Sequence, residues 1–356
     1  MTDHKISPNN QQKTSTDTNI LQQSLLQGLN SWISSRGEIA FPCVPSLLEN
    51  YMQRIAALFL ALGKPFSPAE LNQIRPILAE QLQTGFQASP YSKVLLIYES
   101  AKPPGRKVTC QIVTQITSIA EQCDNLTRTH SGLIFGEYPD AKVMAIAHSL
   151  DNPANSPVLE IGAGTGRNAL SLARLGFPIH TLDLSGNFVE LLRRSAAAEK
   201  LPIQAMQGDF LDPSIKIKHG YYKLALLASV VPHFREVAQV RLLFAKMSDI
   251  LCSGGLLLFS TFLAAPGYNP NQVDREMAHV IDSFFLTRTE LAAAMENLPL
   301  NLISDESVWE YEEKNLPTQA WPLPDWFNTW ATGQRLFPLT NGKSPIELRW
   351  IVCRRY

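Results

Sequence analysis

At 356 residues and 45% hydrophobic side chains, the chain exceeds one ordinary domain and holds enough apolar material for a sizeable core. Its 31 Lys and Arg against 32 Asp and Glu give a formal net charge of −1 with no basic run, which excludes the electrostatic footprint of a nucleic-acid or anionic-membrane binder and suits a small or neutral partner. The five cysteines, Cys43, Cys110, Cys123, Cys252 and Cys353, lack C-x-x-C spacing and read as reduced core residues, and no His, Asp or Glu grouping has metal-ligand spacing.

The first eighteen residues carry no apolar h-region, so 1–18 reads as a disordered tail rather than a signal peptide or membrane start. Residues 19–125 form a separate, mainly helical N-terminal domain. Apolar residues at Leu47, Leu48, Tyr51, Met52, Ile55, Leu58, Phe59 and Leu62 have helical spacing with a wide buried face. Ser67-Pro68-Ala69-Glu70 has the form of a capping box with proline at the first helical position, opening a helix that ends near Gly85 and is bent at Pro76. Strand patterns over 94–98 and 108–113, joined through Pro103-Pro104-Gly105, predict a β-hairpin. This part shows no chemistry-bearing cluster. Three roles stay open for it: homodimer contact, closure over a pocket, or acceptor specificity.

From 126 to 356 the pattern changes. A helix over 139–150 precedes a turn-rich stretch at 151–157, after which strand and helix signals alternate, the mark of a parallel sheet with helices on both faces. Strands at 158–161, 179–182, 224–229 and 256–262 are separated by helices at 167–175, at 237–251 (stopped by Gly254-Gly255) and on the segment capped by Ser185. Two further strands, 300–308 and 346–353, close the chain and enclose an aromatic-rich insertion, 312–345, with Trp321, Trp326, Phe327, Trp330 and Phe337. Those aromatics either line an apolar acceptor pocket or cover a sheet edge. The longest apolar stretches, 55–62 and 256–266, are too short to cross a bilayer, so a soluble, cytoplasmic protein is expected.

The stretch Glu160-Ile161-Gly162-Ala163-Gly164-Thr165-Gly166 turns from a strand into a helix through three alternate glycines. Glycine permits the sharp turn and lets a ligand approach the main chain. The position of a third dinucleotide glycine holds Arg167, and a phosphate loop would need Gly-Lys-Ser/Thr where Gly166-Arg167-Asn168 stands. What remains is acid-x-Gly-x-Gly-x-Gly with Asp183 at the end of the next strand, placed for the two hydroxyls of a ribose.

This pairing, extended by Gln207-Gly208-Asp209-Phe210 after the third strand, resembles the class I S-adenosylmethionine-dependent methyltransferases over roughly the last 220 residues. The resemblance implies a seven-stranded, mostly parallel Rossmann-like α/β sheet with helices on both faces, beside the helical N-terminal domain with its hairpin. It implies S-adenosylmethionine as cofactor: Glu160 at the methionine end, Gly162, Ala163, Gly164 and Gly166 along methionine and ribose, Asp183 and Leu184 at the ribose, Asp209 and Phe210 at the adenine, and Ser229 at the fourth strand end. His233, just past that strand, stands where a general base would face the transferred methyl, or it caps the next helix or touches the adenine edge. Tyr138 and His130 fall where the family's flap covers the cofactor, Tyr138 reading either as a catalytic lid residue or as packing.

The chain departs from the pattern at Lys223, near where many members carry an acid, and it lacks the Asn/Asp-Pro-Pro-aromatic signature of enzymes that methylate base amino groups. Tyr268-Asn269 after the fifth strand reads as an acceptor contact or a plain turn. The expected activity is methyl transfer to oxygen, nitrogen or carbon of a small molecule. A binding-only regulatory or assembly protein is the alternative, and aminopropyl transfer ranks last because the strand-four loop offers no carboxylate-rich pocket.

Overall fold

The computed structural model describes residues 15–29, 32–102, 107–129 and 136–356. The hairpin turn at Pro103-Pro104-Gly105, residue His130 and most of the proposed tail lie outside them. The chain forms two compact units, one of residues 1–41, 47–82 and 94–114, the other of 42–46, 83–93 and 115–356.

The smaller unit contains α1 (Thr18–Leu29), β1 (Arg36–Pro42), α2 (Leu48–Ala61), α3 (Pro68–Ala88), β2 (Lys93–Ser100) and β3 (Val108–Gln115), several of whose end residues belong to the larger unit. Helix α2 buries Tyr51, Met52, Ile55 and Phe59, four of the positions its periodicity marked. The capping box before α3 forms as expected: Ser67 N–H donates to Glu70 Oε2 at 2.7 Å and Glu70 N–H to Ser67 Oγ at 3.3 Å. The helix runs through Pro76 and past Gly85 to Ala88. The expected hairpin strands gain a partner, because β1 pairs with β2 to give the sheet order β1-β2-β3. Gly37 explains why β1 escaped the pattern: a Cβ there would meet Tyr98 Oη at 2.7 Å, so the Tyr98 ring takes the place of a strand side chain.

The larger unit runs α4 (Ile119–Thr129), α5 (Ala141–His148), β4 (Val158–Ile161), α6 (Arg167–Arg174), β5 (Ile179–Asp183), α7 (Gly186–Glu199), β6 (Ile203–Gln207), β7 (Tyr222–Leu227), α8 (Val237–Ile250), β8 (Leu251–Ala264), α9 (Gln272–Val280), β9 (Phe285–Leu286), α10 (Arg288–Met295), β10 (Leu300–Ser307), α11 (Val308–Asn315), α12 (Asp325–Ala331) and β11 (Ile346–Arg355). Seven strands lie in the order β10-β11-β8-β7-β4-β5-β6, and β9 adds a short parallel pair to β8 at Phe262 and Leu263. Strands β4 to β8 are parallel, whereas β11 runs antiparallel to both β8 and β10. Two cores flank the sheet: Val158 and Leu224 join one, and their chain neighbours Leu159 and Ala225 join the other.

Two boundaries differ from expectation. Helix α8 stops at Ile250, and Gly254-Gly255 lie inside β8, where the pairing with β7 slips between Tyr222 and Leu224. Positive φ at Gly254 makes this a strand irregularity rather than a helix stop. The stretch 271–299, to which no element was assigned, carries α9 and α10, each opened by a reciprocal cap, Asn271 with Asp274 and Thr287 with Glu290. No described helix is long and apolar enough to cross a membrane.

Candidate active site

The carboxyl ends of β4, β5 and β7 open into a cavity of about 950 Å³, at the upper end of ~300–1,000 Å³ for ligand pockets. Every lining residue belongs to the larger unit. Glu160, Gly162, Ala163, Gly164, Asp183, Leu184, Asp209, Phe210, Ser229, His233 and Tyr138 all line it, so the fold brings together ten of the cofactor and catalytic candidates around one space, and Tyr138 with them at the edge of a neighbouring groove.

Gly166 is the exception. It caps α6 at φ +95°, where a Cβ would stand 2.4 Å from Leu192 Cδ1, so packing against α7 requires glycine there. A Cβ on Gly162, at φ +68°, would likewise meet Val230 Cγ2 at 2.5 Å. These two glycines answer to backbone conformation and to the protein's own side chains before any ligand arrives.

Asp183 ends β5 and holds the turn. Its Oδ2 accepts Gly164 N–H at 2.8 Å and its Oδ1 accepts Ser185 N–H at 2.9 Å. Burial pushes its carboxyl upward against those two N–H donors. Glu160, 2% exposed, lies deeper: Asn168 Nδ2 reaches its Oε1 at 3.4 Å, and its Oε2 is buried with no hydrogen-bond partner. Burial raises this carboxyl to about 8, with the Asn168 bond and the Arg167 charge offsetting only part of the effect. Asp140 completes this end, accepting Arg167 Nη2 at 2.7 Å and Asn168 Nδ2 at 3.0 Å. A buried carboxylate oxygen without a donor, beside a guanidinium, fits the ammonium and carboxylate of a bound amino acid moiety.

Because the raised pKa belongs to the folded state, the sign follows. Glu160 stays protonated in the fold while its unfolded counterpart ionises from about 4.5, so its contribution to stability is present below pH 4.5 and lost as pH rises to about 8. The cofactor-free protein is expected to lose stability across that window, by at most ~1.4 kcal/mol per pH unit from this group. Urea unfolding of Glu160→Gln between pH 5 and 8 should show a flatter slope; an unchanged slope would remove Glu160 from this account.

Asp209 is exposed and its Oδ1 accepts Leu211 N–H at 2.8 Å, an Asx turn, while Phe210 is buried below it. Ser229 follows β7 with φ +59°, and its N–H donates to Ser260 Oγ at 2.7 Å, so a strained turn carries the chain across the cavity. Cys123, on α4, also faces the cavity; burial and nearby carboxylates push its thiol up to about 12, which keeps it protonated.

His233 lines the same cavity from the segment after β7. Its Nδ1 lies 3.2 Å from Asp282 Oδ1, and the Tyr91 hydroxyl donates to that same oxygen at 2.6 Å. Burial pushes the Asp282 carboxyl up, but the His233 and Tyr91 contacts and the Arg335 charge outweigh it and hold the group below its usual range. Trp330 Nε1 donates to the Asp282 carbonyl at 2.8 Å. Neither Tyr91 nor Asp282 carried a local signal, since they lie 142 and 49 residues from His233. Asp140 and Asn168 were equally silent.

Tyr268 turns to Asp274, donating to Oδ2 at 2.7 Å, and packs on Phe285 and Phe337; neither it nor Asn269 lines the cavity. The turn reading holds there. Lys223 is exposed at the start of β7, away from the cavity, so its departure from the expected acid does not touch the site. The insertion divides its aromatics: Trp326, Phe327 and Trp330 line the cavity, whereas Trp321 packs edge-on against Trp309.

A family model described as a methyltransferase domain matches residues 158–255. A Geobacillus sp. (strain WCH70) protein, described as a candidate methyltransferase, is 28% identical over 102 residues, which is 29% of this chain and 40% of that protein. Hemagglutinin 1 of Eikenella corrodens is 24% identical over 205 residues, 56% of this chain and 61% of that one. The chain thus spans less than two thirds of either relative. Among solved structures, geranyl diphosphate C-methyltransferase from Streptomyces coelicolor A3(2) aligns with a TM-score of 0.45 at 17% identity, covering 61% of this chain and 79% of that one. The match over 158–255 spans the strand that leads into the glycine turn and the parallel strands beside it, so the chain carries a methyltransferase domain.

Proposed function

We propose that the protein methylates a small-molecule acceptor on oxygen, nitrogen or carbon. The observation that carries this reading is a single cavity lined both by the orphaned Glu160 carboxyl and the Asp183–Gly164 turn and by the His233–Asp282 pair. S-adenosylmethionine supplies, when bound, a methyl group on a sulfonium whose departure leaves a neutral thioether. The protein's work is then alignment, exclusion of water and removal of a proton where the acceptor carries one.

On this reading Glu160 Oε2 receives the ammonium and Arg167 faces the carboxylate of the methionine moiety. Asp183 takes the ribose hydroxyls beside Leu184, Ala163 and Gly164 shape the main-chain cradle, Asp209 and Phe210 flank the adenine, and Ser229 borders the transferred methyl. Tyr138 closes the rim between the cavity and the adjoining groove. An amino-acid-specific end of this kind also separates the reading from aminopropyl transfer, whose donor lacks the carboxylate that Arg167 would meet.

Calorimetric titration of S-adenosylmethionine and S-adenosylhomocysteine, with NAD as control, tests the cofactor half; release of S-adenosylhomocysteine on addition of small acceptors tests the transfer. Tyr138→Phe should slow turnover by on the order of tenfold while leaving cofactor affinity within about threefold. Binding without any release would return the chain to a binding-only role, and no binding by the wild type would end the methyltransferase reading.

A further inference from the structure

His233 sits on the single 3-10 turn Val231–His233 that follows β7, and Asp282 sits just after α9. A carboxylate held ionised can only accept, so the ring nitrogen facing Asp282 carries the hydrogen and Nε2 keeps the free lone pair. Tyr91, donating to the same Oδ1, stops the carboxylate from rotating away. The Trp330 bond to the Asp282 carbonyl ties the base to an apolar wall, because Trp330 and its helix neighbours Trp326 and Phe327 line the same cavity. Arg335 lines it too, and its positive charge reaches both Asp282 and Tyr91.

We propose that the acceptor is a flat aromatic hydroxyl compound, a phenol, deprotonated by His233 with Asp282 and Tyr91 as positioning residues; the proposal rests on the methyltransferase reading above. The class follows from which acceptor needs this arrangement. A carboxylic acid is already ionised near neutral pH and needs no base. A neutral amine attacks with its own lone pair, and its ammonium form would meet the Arg335 charge. An aliphatic alcohol is a weaker acid than a phenol, which widens the gap the imidazole must bridge, and it presents no planar face to the aromatic wall. Phenols as a class ionise near ~10 and imidazole near ~6.5, a gap of roughly 3–4 units that a neighbouring cation narrows. The indole and phenyl rings of Trp326, Phe327 and Trp330, tilted to one another at centroid distances of 6.1 and 6.3 Å, give the cavity an aromatic wall that suits a planar ring by face or edge contact.

The proton of the phenol O–H passes to His233 Nε2, and the oxygen lone pair forms the new C–O bond to the methyl carbon. The C–S bond breaks with its electron pair returning to sulfur, which leaves as the neutral thioether of S-adenosylhomocysteine. His233 then gives its proton to water. Asp282 carries no proton at any stage and holds the ring's orientation and tautomer.

The probe is 7-hydroxycoumarin, a planar phenol whose neutral and ionised forms absorb at different wavelengths. Added to the protein with S-adenosylhomocysteine, it should ionise at least about one pH unit below its value in free solution, and this shift should vanish in Asp282→Asn and His233→Ala. With S-adenosylmethionine it should yield 7-methoxycoumarin, and Asp282→Asn should lower kcat by on the order of 10²–10⁴-fold with KM within about threefold and the acid limb of the pH profile displaced. Tyr91→Phe should lose less, roughly tenfold. The proposal is overturned if the probe neither binds nor shifts its ionisation, if 7-aminocoumarin or coumarin-3-carboxylate is methylated at equal or higher kcat/KM, or if Asp282→Asn turns over normally. Calorimetry of S-adenosylmethionine on the same samples separates the two readings. Cofactor binding without a response to the probe removes only the phenol, while no cofactor binding removes both.

Discussion

Asp183→Ala is expected to weaken S-adenosylmethionine binding by on the order of 10²-fold or more, the largest single effect on the cofactor side. Two losses combine. A carboxylate that accepts from two ribose hydroxyls contributes charge-assisted hydrogen bonds of roughly 1.5–3 kcal/mol each, and neither survives truncation. The same substitution removes the acceptor for Gly164 N–H and Ser185 N–H, and with it the brace of a turn whose glycines hold positive φ. Asp183→Asn keeps the shape and one acceptor oxygen, so its loss should fall between wild type and alanine. Calorimetry on the three proteins decides the matter. A dissociation constant for the alanine variant within about threefold of wild type would show that the ribose is held elsewhere.

Phe262→Ala should cost about 3–5 kcal/mol of stability, a large share of the ~5–15 kcal/mol that folded domains possess. Phe262 is fully buried in β8, opposite Leu348 of β11 and Phe285 of β9, and its ring meets Trp330 edge-on at 5.3 Å. Neighbours on two strands and a helix cannot all close onto the vacated space, so most of the cavity penalty remains. The consequence reaches the site, because Trp330 also donates to the Asp282 carbonyl. Turnover should fall further in Phe262→Ala than in Phe262→Leu, which refills most of the volume and should cost below about 2 kcal/mol. Urea unfolding reads the stability; a loss under ~1 kcal/mol in the alanine variant would mean that Trp330 does not depend on this ring.

The sequence was legible where the physics is local. A strand end, three alternate glycines and a helix start within nine residues impose positive φ and a tight turn wherever they occur. The regular alternation of strand and helix dictated a parallel sheet because crossovers of that length have one packing solution. The short strand β1 was missed because Gly37 lends its side-chain space to Tyr98, and helices α9 and α10 were missed although their caps, Asn271 with Asp274 and Thr287 with Glu290, stood in plain view. The slip in β8 showed only once β7 lay beside it, since a register irregularity belongs to a pair of strands.

On its own, then, the sequence determined the fold class, the glycine turn and the edge of the sheet on which Glu160, Asp183, Asp209, Ser229 and His233 would gather. Tertiary structure alone decided what His233 is paired with, which aromatics face the cavity, and that Glu160 keeps an oxygen with no donor. The reason is physical. A backbone turn is specified by the residues that make it, whereas the orientation of a base, the burial of a carboxylate and the wall of a pocket are set by side chains from Tyr91, Asp282 and Trp330, which no periodicity links and only the folded chain brings within hydrogen-bonding distance.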